Sequence, residues 1–303
     1  MDLSIISPVY NEQDSIEAFV SKLVAEVDLM NTNYEIILVD DGSEDGSWSI
    51  IQDLCQRLPR LKGIRLIKNQ GQMAALEIGI LSARGEWLVT MDSDLQHPPE
   101  FIQDMWLIRD RASIVNTKQQ ARHDSWSKSL FSRLFYVLLA HISGFKVEQN
   151  VGDFRLIRRE TALLLLSKDE PKLLRFLIPK YGLDHEILEY QASPRYAGST
   201  KYSLQKMISL ALASTLISSK DIPYSFVKFG FGVFAMLMCQ LGLIVGMLVL
   251  SRDVSFLLLA TIFATFNLMI ALLITGFSGM YFAEMLKSSI HSPSVEIAEK
   301  IGF

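Results

Sequence analysis

The first 91 residues alternate between short apolar runs and longer segments whose apolar positions recur at helical spacing. The runs typical of buried strands are Leu3–Ser7, Tyr34–Val39, Leu61–Ile67 and Trp87–Met91. The segments with helical periodicity are Ser15–Leu29, Ser47–Leu58 and Met73–Ala83. Repeated strand–helix units predict an α/β fold, with a mostly parallel sheet and helices on both of its faces.

Polar clusters follow these apolar runs. They are Pro8-Val9-Tyr10-Asn11-Glu12, Asp40-Asp41-Gly42-Ser43, Asn69-Gln70-Gly71 and Asp92-Ser93-Asp94. Because the carboxyl ends of parallel strands meet at one edge of a sheet, we expect the clusters to form a single site there.

The fourth apolar run ends in two carboxylates one residue apart, Asp92 and Asp94, followed by Gln96 and two prolines. Carboxylates this close repel each other unless a cation or a proton lies between them. Hard oxygen ligands favour Mg²⁺ or Mn²⁺, ions that usually bind a substrate phosphate as well. The alternative for an isolated Asp-x-Asp is a solvated turn without metal.

The second cluster, Asp40-Asp41-Gly42-Ser43, also has two interpretations. It can be a strand-to-helix turn in which Gly42 supplies a positive φ. It can also recognise a nucleobase or ribose, with a carboxylate accepting a ring N–H. Acidic residues would repel a phosphate, so a Walker-type phosphate loop is excluded here.

Composition divides the chain into two parts. Hydrophobic residues make up 50% of it, mean hydropathy is +0.25, and the apolar excess lies mostly in the C-terminal third. The net charge of -4 argues against a general nucleic-acid binder, so we expect no nucleic-acid partner. Two distant cysteines form no disulfide framework or zinc spacing. The N-terminus lacks a basic signal-peptide region, which predicts a cytoplasmic catalytic part.

Residues 229–250 and 254–282 contain no charged side chain, and each is long enough to cross about 30 Å of hydrocarbon. A three-residue link predicts a transmembrane hairpin; a pair of buried core helices is the alternative. Flanking lysines predict a multi-pass protein of the inner (plasma) membrane with both termini in the cytoplasm. The Gly242 to Gly246 spacing is compatible with a homo-oligomer through the hairpin.

Two further segments have amphipathic patterns. Residues 125–141 predict an interfacial helix with an apolar stripe beside basic side chains, although a soluble helix packed on the sheet has the same pattern. The expected organisation is a catalytic domain at 1–200, a juxtamembrane helix at 201–224, the hairpin region at 225–287 and a cytoplasmic tail at 288–303.

Taken together, the motifs resemble those of the family 2 glycosyltransferases with the GT-A fold. The narrower form Asp92-Ser93-Asp94-Leu95-Gln96-His97-Pro98-Pro99 resembles the polyprenyl-phosphate glycosyltransferases, as do Val151–Leu156 and Arg195–Ser203. Ser93 and Gln72 depart from the residues common in that subgroup. The Gln-x-x-Arg-Trp signature of processive synthases is absent from the sequence, which favours transfer of one sugar per turnover.

The resemblance implies inverting transfer of one hexose from a nucleotide sugar, UDP-glucose as the first choice, to undecaprenyl phosphate at the cytoplasmic membrane face. UDP-galactose, GDP-mannose and formylated aminoarabinose donors are the alternatives. The implied metal ligands for Mg²⁺ or Mn²⁺ are Asp94, Gln96 and Asp92. The implied nucleoside-binding residues are Pro8, Tyr10, Glu12, Asp40, Asp41 and Asp92.

The same resemblance implies that Asp153 is a catalytic residue beside Asp94, acting as a base or as a positioning group. Its structural alternative is a helix cap or a partner of Arg155. The resemblance also implies that Arg122 and Lys128 bind the acceptor phosphate. Arg133 is added only because it lies near them in the sequence. Arg195 and Lys201, just before the second amphipathic segment, are candidates for the acceptor or the diphosphate, with ordinary positive-inside charges as the alternative. Two other classes stay open: a membrane-attached nucleotidyltransferase and a non-catalytic membrane sensor of sugar nucleotides.

Overall fold

The computed structural model describes residues 1–120, 148, 151–168, 173–191 and 296–303, together with scattered helical positions between 232 and 279. The chain divides into two units. The first comprises Met1–Ser203 with Ser292–Phe303, and the second comprises Leu204–His291.

The first unit alternates strands and helices along the chain. Its strands are β1 (Leu3–Val9), β2 (Tyr34–Asp40), β3 (Leu61–Leu66), β4 (Trp87–Thr90), β5 (Ile114–Gln119), β6 (Val151–Arg158), β7 (His185–Tyr190) and β8 (Ile297–Ile301). Its helices are α1 (Ile16–Asp28), α2 (Ser47–Arg57), α3 (Gln72–Ser82), α4 (Phe101–Leu107), α5 (Arg159–Leu166) and α6 (Leu174–Lys180). The α/β class expected from the sequence is confirmed.

One sheet contains all eight described strands, in the order β7-β5-β6-β4-β1-β2-β3-β8. Strands β1 to β4 are parallel to one another, as their sequence pattern predicts. Strand β6 lies antiparallel to β4, and β8 lies antiparallel to β3. The sheet is therefore more mixed than expected. The antiparallel β6 matters for the site because its beginning, not its end, reaches the edge where β4 ends.

Burial on both faces explains the apolar runs of the central strands. Every residue of β2 is buried, which is the pattern of a parallel strand covered by helices on both sides. Helix α3 approaches β1 closely at Gly79, where an added Cβ would lie 2.3 Å from the Cγ2 atom of Ile6. Helix α3 therefore packs closely on β1 because residue 79 has no side chain.

The last residues of the chain join the sheet as β8, although the sequence suggested only a tail at 288–303. Trp48 donates its indole N–H to Glu299 at 3.1 Å, and Lys300 and Lys62 lie over the ring of Phe303. The segment is short and its middle residues are exposed and polar, so it lacks the apolar signal of the other strands. Strand β8 covers the edge that β3 would otherwise expose.

Among the described positions, no helix has the length and apolar character needed to span a bilayer. The structure describes about half of the positions in the predicted hairpin at 229–250 and 254–282, all of them helical. The predicted amphipathic helices at 125–141 and 201–224 fall outside the described residues entirely.

A buried ion pair links two central strands. The Glu35 carboxylate of β2 accepts three hydrogen bonds. The donors are the Lys62 ammonium, the Ser4 hydroxyl at 2.6 Å and the backbone N–H of Arg84 at 2.7 Å. Burial alone would raise the pKa of Glu35, but these donors outweigh it and hold the pKa below its usual value. The carboxylate therefore stays ionised inside the sheet.

We predict that Glu35→Gln lowers the free energy of unfolding of the first unit by about 3 kcal/mol, because Lys62 is left buried without its counter-charge. Tryptophan fluorescence of the detergent-solubilised full chain during denaturation measures this loss. Glu17→Gln is the matched control, since Glu17 pairs with Arg57 at the surface and its removal costs under about 1 kcal/mol. Equal losses of unfolding free energy in the two variants would contradict the stabilising role given to the Glu35–Lys62 ion pair.

Candidate active site

Three loops meet at the edge of the sheet where β1, β2 and β4 end. The Ser93 hydroxyl donates to the carbonyl of Pro8 at 3.1 Å, which ties the loop after β4 to β1. The Asn11 N–H donates to the Ser43 hydroxyl at 3.0 Å, which ties the loop after β1 to the loop after β2. The structure thus brings together the polar clusters that the sequence marked separately.

Asp40 ends β2 with its side chain fully buried. It accepts the N–H of Ser43 at 3.2 Å, and its other carboxylate oxygen lies 3.4 Å from the Arg65 guanidinium. Burial raises the pKa of Asp40, with Arg65 acting against that rise. This residue, expected at a nucleoside, is enclosed by protein in this structure.

Asp41 holds the loop that precedes α3. Its two carboxylate oxygens accept the N–H groups of Gln70 at 2.7 Å and Gly71 at 2.9 Å. The side chain is 2% exposed, and burial raises its pKa. Gly42 next to it has φ +67°, and an added Cβ would lie 2.6 Å from the backbone of Lys68 and Asn69. Backbone contact explains this glycine without any ligand.

The Asp-x-Asp loop has a strained backbone. Leu95 has φ +61°, a left-handed conformation that costs a branched side chain of order 1–3 kcal/mol. The strain coincides with a short turn in which the Gln96 N–H donates to the Asp94 carboxylate at 3.1 Å. Nearby, the Gln72 amide donates to the Asp92 carboxylate at 2.7 Å. Both aspartates are thus oriented by neighbours on the protein.

His97 supports this loop from beneath. Its ring accepts the N–H of Asp92 at 3.0 Å and stacks on Phe154 of β6, with ring centroids 5.0 Å apart and planes at 17°. Tyr190 of β7 lies edge-on to the same imidazole. Burial raises the pKa of Tyr190 to about 12, and the charges of Asp92 and Asp94 add to that rise. Nothing in the sequence around His97 indicated these ring contacts.

Asp153, at the beginning of β6, pairs with two arginines. One carboxylate oxygen lies 3.1 Å from Arg155, and the other lies 3.1 Å from Arg175 of α6. Burial alone would raise the pKa of Asp153, but the two guanidiniums outweigh it and hold the pKa below its usual value. The Thr90 hydroxyl donates to the backbone carbonyl of Asp153, which ties this carboxylate to the end of β4. The pairing with Arg155, which the sequence left open as the structural alternative to a catalytic role, is present, and Arg175 was missed.

Three carboxylates, Asp92, Asp94 and Asp153, lie near one another at this edge of the sheet, and the charges of the other two act on Asp92. Its side chain is 38% exposed, yet partial burial raises its pKa, and the charges of Asp153 and Asp94 raise it further. His97 and Arg175 act in the opposite direction. A divalent cation would relieve this repulsion, so the donor set of carboxylate and amide oxygens fits Mg²⁺ or Mn²⁺.

Within the described ranges, no three Asp, Glu, His or Cys side chains come together closely enough to enclose a metal ion. Asp92 and Asp94, with the Gln96 amide, are the residues of the described chain that could hold one. Mg²⁺ sites often combine one or two carboxylates with phosphate oxygens, so the phosphates of a bound ligand would have to supply the remaining oxygens.

The remaining predicted site residues divide by position. Pro8, Tyr10 and Glu12 lie at the end of β1 and are partly exposed. Glu12 accepts the Ser15 hydroxyl at 3.0 Å. The basic residues expected to bind phosphate lie outside the described ranges, namely Arg122, Lys128, Arg133, Arg195 and Lys201.

Comparison with known proteins finds a matching family model and several similar proteins. The family model described as Glycosyl transferase family 2 matches residues 4–163, more than half of the chain. The chain is 33% identical over 217 residues to the prophage bactoprenol glucosyl transferase homolog of Escherichia coli, a match that covers 70% of each protein.

A second relative is the undecaprenyl-phosphate 4-deoxy-4-formamido-L-arabinose transferase of Aeromonas hydrophila, 32% identical over 211 residues. The match covers 69% of this chain and 65% of that protein, so the chain spans just under two thirds of that relative's length. Among solved structures, glucosyl-3-phosphoglycerate synthase of Mycobacterium tuberculosis matches with a TM-score of 0.49 and 17% identity, covering 72% of this chain and 80% of that one.

We predict that Asp41→Asn loosens the loop before α3, because an amide NH₂ would face one of the two N–H groups that the carboxylate now accepts. The free energy of unfolding should fall by about 1–3 kcal/mol, and amide hydrogen exchange at Gln70 and Gly71 should accelerate. Asp110→Asn, at an 80% exposed side chain, is the control with little expected effect. Unchanged exchange at Gln70 and Gly71 would refute the role given to Asp41.

Proposed function

This chain belongs to glycosyl transferase family 2, and from that premise we propose that it transfers one sugar from a nucleotide diphosphate donor to the phosphate of a polyprenyl lipid. The chain is a glycosyltransferase. The identity of the acceptor as a lipid phosphate is our proposal. The observation that carries the proposal is the carboxylate corner at the end of β4, formed by Asp92, Asp94 and Asp153 and flanked by the loops after β1 and β2.

Donor binding follows from the positions of the loops along the sheet edge. The nucleoside is proposed to lie against Pro8, Tyr10 and Glu12 and the backbone around Gly42. Asp40 and Asp41 then act by holding that backbone, because their side chains are enclosed by protein. The diphosphate would extend from there toward the end of β4.

The bond that breaks joins the anomeric carbon of the sugar to the diphosphate, and its electron pair leaves with the nucleotide. When bound, Mg²⁺ or Mn²⁺ supplies positive charge that stabilises this leaving group. Asp92, Asp94 and Gln96 are the proposed ligands. Gln72 and the Gln96 N–H keep the two carboxylates in place, so little reorganisation is needed during the reaction.

The acceptor is proposed to be the phosphate monoester of a long isoprenoid, undecaprenyl phosphate in a bacterial membrane. Its second pKa is near 6, so at pH 7 most of it is a dianion that needs no general base. One phosphate oxygen attacks the anomeric carbon from the face opposite the leaving diphosphate. The configuration at that carbon is therefore inverted.

Strand β8 supports a membrane hairpin with both ends on one side of the bilayer. Since Ile297–Ile301 pairs with β3, the segment from Leu204 to His291 leaves the sheet and returns to it. Any crossings in it must be even in number. We propose the pair of crossings 229–250 and 254–282 in the inner membrane.

Basic side chains then lie on the cytoplasmic side of that membrane. Arg122, Lys128, Arg133, Arg195 and Lys201 are proposed to bind the lipid phosphate or the diphosphate. Large apolar side chains at described positions of the second unit are exposed, as a lipid-facing surface requires: Phe234, Met238, Phe263, Phe266 and Leu272. A homo-oligomer through the hairpin remains part of the proposal.

UDP-glucose is the proposed donor. Donors carrying formylated aminoarabinose or mannose are the alternatives, and the first has relatives named for it. Gln72 stands where many bactoprenol glucosyltransferases have Lys, and it donates to the Asp92 carboxylate. Because this departure lies beside the proposed metal ligands, the donor sugar has to be identified by measurement.

We predict that full-length protein in membranes transfers label from radiolabelled UDP-glucose to polyprenyl phosphate in the presence of Mg²⁺. The product should be lipid-soluble and acid-labile. Parallel incubations with GDP-mannose and a formylated aminoarabinose donor identify the preferred sugar. Hydrolysis without a lipid product, or binding alone, for every donor would contradict the proposal.

We also predict that Asp94→Ala lowers kcat by a factor of at least about 1,000, because the leaving diphosphate loses its main source of charge stabilisation. Asp104→Ala, at an exposed position of α4, should retain normal turnover. Rates are compared at saturating Mg²⁺. Near-normal turnover of Asp94→Ala under that condition would overturn the assignment of Asp94.

A further inference from the structure

We propose that Arg175 binds the phosphate of the lipid acceptor and that Asp153 is the positioning residue that holds Arg175 in place. The inference rests on the proposed function and assigns a phosphate ligand that the sequence did not reveal. It also resolves the role of Asp153 in favour of positioning rather than proton abstraction.

The order of strands separates a donor side from an acceptor side. The proposed nucleoside loops follow β1 and β2, the Asp92–Asp94 pair follows β4, and Asp153 lies on β6, the next strand beyond β4. Neighbouring strands are about 4.8 Å apart, so β2 and β6 are separated by roughly 14 Å along the sheet. The nucleoside and Asp153 are thus on opposite sides of the carboxylate pair.

That separation suits an in-line displacement. The diphosphate leaves toward β1 and β2, so the attacking phosphate must approach from the opposite side, where β6 and α6 lie. Arg175 is the second residue of α6, and its guanidinium reaches the Asp153 carboxylate there.

The two arginines on Asp153 differ in access. The Arg155 side chain is fully buried and also donates to the carbonyl of Gly152, and burial lowers its pKa to about 10. The Arg175 side chain keeps 22% of its surface exposed. Of these two arginines, Arg175 is therefore the one that can meet a ligand. A guanidinium offers planar paired donors that match a phosphate.

The two arginines can have different roles. Arg155 neutralises the Asp153 carboxylate inside the protein, so Arg175 can bind an incoming anion while Asp153 keeps an ion-pair partner. A carboxylate held by two guanidiniums is a weak proton acceptor. Because the acceptor phosphate arrives largely as a dianion, the attack transfers no proton to Asp153.

The test measures KM for each substrate separately, with the full chain in detergent micelles. We expect Arg175→Met to raise KM for polyprenyl phosphate at least tenfold and to change KM for the nucleotide sugar less than twofold. Arg175→Lys should recover part of the loss. Arg158→Met, at the far end of β6 where the arginine pairs with Glu86 and Glu160, is the matched control and should leave both values unchanged.

A second measurement does not depend on turnover. Native mass spectrometry measures the binding of polyprenyl phosphate to the full chain, with uncharged polyprenol as the comparison ligand. Binding of polyprenyl phosphate should weaken in Arg175→Met and stay unchanged in Arg158→Met. Inorganic phosphate should compete with the lipid in the unaltered protein if the phosphate alone is recognised. Absence of that competition would assign the recognition to the lipid-linked phosphate.

The role of Asp153 is tested by combining variants. Asp153→Asn leaves the buried Arg155 without its counter-charge, so the readout is the pH dependence of kcat and not the size of the loss. If Asp153 only positions Arg175, Asp153→Asn with Arg175→Met should have the same pH profile of kcat as Arg175→Met alone. Loss of an ionisation from that profile when Asp153 is replaced would make Asp153 a base and overturn its positioning role. A rise in KM for the nucleotide sugar, or equal KM values in Arg175→Met and the unaltered chain, would overturn the role of Arg175.

These outcomes are distinct from a failure of the proposed function. If the unaltered chain forms lipid-linked sugar and Arg175→Met behaves normally, only this inference falls. If the unaltered chain forms no lipid product with any donor, the proposed function falls and this inference falls with it.

Discussion

The structure depends on the balance of charge at one corner of the sheet. Asp92, Asp94 and Asp153 converge there, and repulsion among them is compensated on one side by Arg155 and Arg175. In the proposed function, a divalent cation lies beside Asp92 and Asp94, and the anionic acceptor lies beside Arg175.

The backbone is built to hold that corner. Hydrogen bonds from Ser93 to Pro8 and from Asn11 to Ser43 join loops that are far apart in sequence. Leu95 accepts a strained conformation, and the His97 ring braces the loop against Phe154. Buried Asp40 and Asp41 do the same for the loop after β2 and the loop before α3. Several predicted ligand contacts are thus also the supports that make the loops rigid.

The sequence predicted the central strands, the first three helices and the clustering of polar residues, because local periodicity and strand ends carry that information. It did not predict β8, whose exposed polar residues look like a tail. It also missed Arg175, because the contact with Asp153 depends on how α6 returns to the start of β6, and no local pattern encodes such a return. The burial of Asp40 was missed for a similar reason, because the sequence around Asp40 does not show that Arg65 of the neighbouring strand lies beside it.

The account is tested most directly by a structure of the full chain with Mn²⁺ and UDP, in which the anomalous signal of manganese locates the ion. We expect one peak within coordination distance of Asp94, bridging to the diphosphate, with the uridine against the loops after β1 and β2. Manganese bound elsewhere, or UDP bound with the carboxylate corner empty, would contradict the account.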